Sequence, residues 1–163
     1  MNSRSLARHT ARLSIVGALG VALVGGLSLA ADARAGQQTA ERAQAATLTV
    51  RKTRYGTILF DGRGRALYGF TRDKRGGPSQ CYGACATAWP VQYVKGQLRA
   101  AAGVKQSMLG TTKRRDGRLQ VTYNGWPLYY YVDDLLPGQV TCQNVDEFGG
   151  LWLVVRPSGQ LVR

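Results

Sequence analysis

Two short strings in this chain carry the same residue types at the same spacing. Tyr68-Gly69-Phe70-Thr71-Arg72-Asp73 and Tyr129-Tyr130-Tyr131-Val132-Asp133-Asp134 both read Tyr, any residue, aromatic, any two residues, Asp. Side chains two apart on a strand share a face, so Tyr68 with Phe70, and Tyr129 with Tyr131, form two aromatic stripes. Asp73 and Asp134 fall three residues beyond the second aromatic, where a strand has ended. A carboxylate there can accept hydrogen bonds from loop N–H groups, or reach a Tyr hydroxyl of the other string. The motif then serves as a folding device. A second reading brings Asp73 and Asp134 together as a shared site that binds a cation or performs hydrolysis with one raised pKa. Paired carboxylates of that kind sit about 5–10 Å apart. A third reading is a ligand groove lined by the aromatics.

The thiols are the other reactive groups. Cys81, Cys85 and Cys142 make an odd set. Cys81-Tyr82-Gly83-Ala84-Cys85 is neither a Cys-x-x-Cys nor a haem-attachment string. Three thiolates could hold Cu(I); no resident cofactor or metal is expected. In an oxidising compartment the default is one bridge and one thiol left over.

What is missing narrows the chemistry further. The single His is His9. Residues 1–35 have Arg4, Arg8 and Arg12, then an uncharged apolar run from Leu13 to Ala30, then Ala33-Arg34-Ala35. That layout is a secretory signal peptide of the Sec type, with cleavage expected after Ala35. Its removal leaves 18 Lys and Arg against 8 Asp and Glu, a formal charge of +10, and no imidazole. A Ser-His-Asp or Cys-His nucleophile is then impossible, as is His-based metal ligation within the chain. The expected location is the periplasm or the extracellular space, in the oxidising conditions that favour a bridge.

Residues 36–46 are polar and Ala-rich and read as a flexible tether; residues 47–163 read as a single domain. An offset of 61 relates Arg54 to Arg115, Gly64 to Gly125, Tyr68 to Tyr129, Asp73 to Asp134 and Cys81 to Cys142. Two copies of one unit follow, at about 54–92 and 115–155. In the first, Thr57–Asp61 is strand-like, Gly62-Arg63-Gly64 turns, and Ala66–Phe70 returns. In the second, Leu119–Tyr123 is a strand, Asn124-Gly125 is a type I′ turn signal, and Leu128–Val132 returns. Thr47–Lys52 and Leu151–Val155 add strands, and Pro157-Ser158-Gly159 turns into a short last one. Ala84–Trp89 suggests a short helix that Pro90 stops. The expected fold is mostly β, two related hairpin units forming a small sandwich or a partly open barrel.

The twin strings, together with Cys81-x-x-x-Cys85, Trp89-Pro90, Gln120–Gly125, Pro127-Leu128-Tyr129 and Gly149-Gly150-Leu151-Trp152, carry a resemblance. The chain resembles the bacterial secreted-repeat family described as lipoproteins with a Yx(FWY)xxD motif, whose function is unknown. The likeness spans about 47–157. It implies that Cys81 pairs with Cys85; repeat symmetry alone would pair Cys81 with Cys142. Cys142 stands where the family usually has a small residue, and no lipobox Cys precedes Cys81. Relatives fused to electron-transfer domains motivate a redox or metal-associated role for the three cysteines.

Basic residues cluster at Arg51-Lys52-Arg54, at Arg63 and Arg65, at Arg72, Lys74 and Arg75, and at Lys113, Arg114, Arg115 and Arg118. Positive charge gathered on turns attracts polyanions. The expected role is a non-enzymatic binding module for anionic surfaces or glycans of the envelope, with peripheral membrane contact and no specific nucleic acid. The redox role and a paired-carboxylate hydrolase are the alternatives.

Overall fold

The computed structural model describes residues 46–163. The expected signal peptide at 1–35 and the expected tether at 36–46 lie outside the described residues, apart from Ala46, which opens the first strand. The described residues are mostly β, with nine strands in three sheets of three, one short helix, and no closed barrel.

β1 (Ala46–Thr53) and β2 (Gly56–Asp61) form the first hairpin, and β4 (Leu98–Ala100) adds to β1 in parallel. β5 (Leu109–Lys113) and β6 (Leu119–Tyr123) form the second hairpin, which β7 (Trp126–Pro127) extends. The third sheet joins the copies: β3 (Tyr68–Phe70) pairs with β9 (Gly150–Val154), which pairs with β8 (Val145–Glu147). The helix α1 (Ala84–Ala88) stops at Trp89, just before Pro90. A 3₁₀ turn (Gln106–Met108) leads into β5.

Central strands here are buried on both faces. Along β2, Ile58 and Phe60 enter one apolar cluster and Leu59 the other. Along β9 and beyond, Trp152 and Val154 join the first cluster and Val155 the second. The period-2 alternation of a strand thus feeds two layers of core from one segment.

Two expected return strands need correction. Ala66–Phe70 touches β2 only at the Phe60–Ala66 bridge before Tyr68–Phe70 crosses to β9. Leu128–Val132 is not a strand: Tyr129 alone bridges, to Tyr68 on one side and Val91 on the other. The expected last strand after Gly159 is likewise reduced to a Val155–Leu161 bridge. In each case the backbone groups divide between a strand of their own copy, such as Leu67 N–H to Leu59 O and Leu128 N–H to Val121 O, and partners elsewhere, so a regular hairpin ladder is not needed to satisfy them.

The Asn124-Gly125 turn has the expected two positive φ values, 49° and 81°. It also supports the loop of the other copy, because Gly76 N–H donates to the Gly125 carbonyl at 2.8 Å. A Cβ on Gly125 would come within 2.8 Å of the Gly76 nitrogen, whereas one on Gly117 (φ 81°) would meet nothing. Gly117→Ala should therefore cost only the left-handed backbone penalty, about 1–2 kcal/mol. Gly125→Ala should lose roughly 1–3 kcal/mol more through overpacking. Equal losses in denaturant melts of the two variants would show that the loop–turn contact is loose.

Candidate functional site

The motif residues meet at the boundary between the copies. Tyr68 and Tyr129, repeat equivalents, exchange backbone hydrogen bonds: Tyr68 N–H donates to Tyr129 O at 2.9 Å, and Tyr129 N–H to Tyr68 O at 3.0 Å. From that bridge each ring reaches into the opposite copy. The Tyr68 hydroxyl donates to Asp134 Oδ2 and the Tyr129 hydroxyl to Asp73 Oδ2, both at 2.7 Å. Each Asp also closes its own loop seven residues on. Asp73 Oδ1 accepts from Gln80 N–H at 2.7 Å, and Asp134 Oδ1 accepts from Thr141 N–H at 3.0 Å and from its hydroxyl.

Burial sets the protonation of these groups. Desolvation, together with the neighbouring carboxylates, pushes both tyrosine hydroxyls far above their ordinary value, so they remain donors. Burial also raises the Asp73 carboxyl, opposed by the Tyr129 hydroxyl, the Gln80 N–H and the charge of Arg114. Asp73 is 3% exposed and Asp134 1% exposed, and they share no hydrogen-bond partner. General acid–base work needs contact with a substrate. These carboxylates instead tie loops to the opposite tyrosines.

The aromatics form one column. Trp89 and Trp152 stack face to face at 4.0 Å, Phe70 stacks on Trp152 at 4.1 Å, and Tyr131 lies tilted against Trp89. Tyr68 and Tyr129 meet Trp89 and Trp152 respectively edge-on. The motif aromatics are thus largely core. Phe70 alone reaches an open cleft of about 410 Å³, which it lines with Arg72, Gln80, Tyr82, Cys85 and Phe148.

Cys81 is bonded to Cys85, and Cys142 is a buried free thiol. The bridge fixes the start of α1 to the irregular segment before it, and it removes two members of the three-thiolate copper set. Among the described residues no group of three His, Cys, Asp or Glu side chains is placed to hold a metal. Burial pushes the Cys142 thiol up, against a smaller downward pull from the Tyr131 hydroxyl beside it. A raised thiol is a weak nucleophile at neutral pH.

Arg114 must leave the set of polyanion candidates. It is 5% exposed, and its guanidinium donates to Ser79 Oγ, Gln120 Oε1 and the Cys81 carbonyl at 2.6–2.8 Å. Ser79 Oγ lies in turn 2.7 Å from the Tyr129 hydroxyl oxygen. Arg114 therefore holds the disulfide loop against β6 and faces Tyr82 within stacking distance. The other candidates are on or near the surface. Arg63, Lys74, Lys113 and Arg115 are exposed. Arg72 and Arg75 are exposed but also donate to the Phe148 and Asn124 carbonyls, and Arg65 donates to Tyr131 O. Arg118 pairs with Asp116 at 2.7 Å.

Two groups escaped the sequence reading. The Trp89–Trp152 pair sits at an offset of 63, not 61, so an ungapped repeat search passes it by. Allowing two extra residues after the second Cys would have aligned both Trp and, beyond them, Val91 with Val154. The Ser79–Arg114–Gln120 cluster had no signal, because its members come from three separate elements.

The sequence of both copies matches a known family. Residues 49–92 and 110–156, more than half of the chain, match the model of a family described as a secreted repeat of unknown function. The chain belongs to that family, with one match on each copy. Among curated proteins and solved structures none matches the chain.

Removing either end of a Tyr–Asp tie strands a buried polar group. Tyr68→Phe and Asp134→Asn should each cost about 1–3 kcal/mol. In a double-mutant cycle they should couple by at least about 0.5 kcal/mol. Strictly additive losses would remove the tie from the account. For the thiols, oxidised protein unfolded in denaturant should yield one reactive thiol, and reduced protein three. Three thiols without reduction would rule out the Cys81–Cys85 bridge.

Proposed function

We propose that the chain is an exported, non-enzymatic binding module for anionic surfaces of the cell envelope, delivered by its Sec-type signal. The observation that supports this reading is the unbalanced charge on its turns. Among the described residues Asp61, Asp73 and Asp134 are buried, which leaves Asp116, Asp133 and Asp146 exposed and Glu147 half-buried. Arg118–Asp116 is the one ion pair among the described residues. Arg51, Arg63, Lys74, Lys113 and Arg115 face solvent without such neutralisation. A field of one sign draws in polyanions over a range set by the Debye length, about 8 Å at physiological ionic strength. The family's description as secreted agrees with a target outside the cytoplasm.

A glycan is the second ligand class. The cleft beside Phe70, Tyr82 and Phe148 favours it, with Arg72 and Gln80 as polar groups.

At low ionic strength the protein should be retained on immobilised heparin and released as salt approaches 1 M, where the Debye length is about 3 Å. Lys113→Ala with Arg115→Ala should elute at lower salt with the fold intact. Arg114→Ala should instead lower thermal stability, as it unties Ser79, Gln120 and Cys81. No retention of the unaltered protein at low salt would defeat the proposal.

A further inference from the structure

The loop after the second motif exposes more apolar surface than the core logic requires. Leu135 is 78% exposed and Leu136 67% exposed, with Val132 at 42% beside them. Pro137, also exposed, completes an apolar tip. The leucines are not displaced by slack in the chain. Leu135 N–H donates to Asp133 O, Leu136 N–H to Gln139 Oε1, and Gln139 N–H to Leu136 O, at 2.9–3.1 Å. Gly138 N–H then ties the loop to the Gly64 carbonyl of the other copy at 2.8 Å.

The other copy supplies an internal control. At the offset of 61, Leu135 and Leu136 correspond to Lys74 and Arg75. That loop has the same two bonds one residue earlier, so that Lys74 O takes the part of Leu136 O: Asp73 begins it, Gly77 N–H donates to Lys74 O, and Gly76 N–H reaches the Gly125 carbonyl of the opposite turn. The tip of such a loop therefore accepts charged residues, Lys74 and Arg75, both exposed. Leucine there is not needed for folding, yet it is held toward solvent.

The surroundings are basic. The turn that receives Gly138 carries Arg63, and Arg65 reaches Tyr131 O at 3.1 Å and stacks over Tyr130. The Arg51 guanidinium lies against Gly64 and within 3.7 Å of where a Gly138 Cβ would stand. Asp133 is the acid within the loop, and Arg51, Arg63 and Arg65 outnumber it. A rigid apolar tip in a collar of arginines matches the interface of an anionic bilayer. The leucines enter the acyl boundary, and the guanidinium groups stay with the phosphates. Exposed apolar patches of this kind mark interaction sites.

We propose that Leu135 and Leu136 insert into an anionic lipid bilayer while Arg51, Arg63 and Arg65 contact its headgroups. This rests on the anionic-surface reading and names lipid as the surface. The test is co-sedimentation of the protein with vesicles of phosphatidylcholine and phosphatidylglycerol, alongside retention on heparin. The unaltered protein should bind the vesicles, with a fraction that persists at high salt. Leu135→Ser with Leu136→Ser should weaken vesicle binding at least tenfold and abolish the salt-resistant fraction. Its melting temperature and its heparin retention should not change. Arg51→Gln with Arg63→Gln should weaken both vesicle and heparin binding at low salt. Vesicle binding unaltered by the Ser pair overturns the inference. So does a dimer that the Ser pair abolishes while vesicle binding persists, which would assign the leucines to a second copy. Heparin retention without vesicle binding overturns this inference alone; retention on neither overturns the anionic-surface reading as well.

Discussion

Tyr68 and Tyr129 have buried rings whose hydroxyls must find acceptors, and each finds its acceptor in the opposite copy. A buried hydroxyl without a partner costs about 1–3 kcal/mol, so this crossing is a strong constraint on how the copies sit together. The two tyrosines also bridge backbone to backbone. The distance from that bridge to either Asp is therefore fixed by one side chain. Each Asp in turn fixes a loop, through Gln80 or Thr141. One pair of reciprocal hydrogen bonds thus positions both loops, and through them both surfaces that differ between the copies.

The same crossing extends to the strands. Tyr68 pairs with Val154 and Tyr129 with Val91, so each copy's motif segment lies beside the last segment of the other. Leu59 N–H donates to Val155 O, and Val121 N–H to Gln92 O. Trp89 and Trp152 stack where the two exchanged segments meet. Neither copy keeps its own final strand, and neither closes its own aromatic column. The duplication is one folding unit, because the apolar surface of each half is covered by the tail of the other.

How much of this the residues disclosed depends on the range of the interaction. The motif, the Asn124-Gly125 turn, the stop of α1 before Pro90 and the strands β1, β2, β6 and β9 rest on local backbone preference and were legible; the hairpins were not, because β2 and β6 pair back to β1 and β5 rather than forward to the motif segments. β4 and β8 were not. Leu98–Ala100 and Val145–Glu147 are three residues long and polar in part, and they become strands only because β1 and β9 offer open edges. Leu128–Val132 looked like a strand because its pattern is apolar and aromatic, but its backbone groups are divided among Val121, Gln92, Tyr68, Pro90 and Ala88. Arg114 looked like one more surface cation in a basic run. Only the fold brings Ser79, Gln120 and the Cys81 carbonyl around it.

Duplication also separates what the fold needs from what it merely permits. The positions of the crossing agree between copies: Tyr68 with Tyr129, Asp73 with Asp134, and the Trp pair. Positions that disagree lie just outside it. Cys85, the bridge partner of Cys81, has Asp146 as its counterpart, so that Cys142 keeps a free thiol, and Lys74-Arg75 stands where Leu135-Leu136 does. A loop held at both ends by an Asp and by the facing turn can change its middle residues at little cost to the core. The scaffold therefore leaves its chemistry to loop tips. In this chain those tips have become basic on one copy and apolar on the other, a pairing that a symmetric folding device alone does not require.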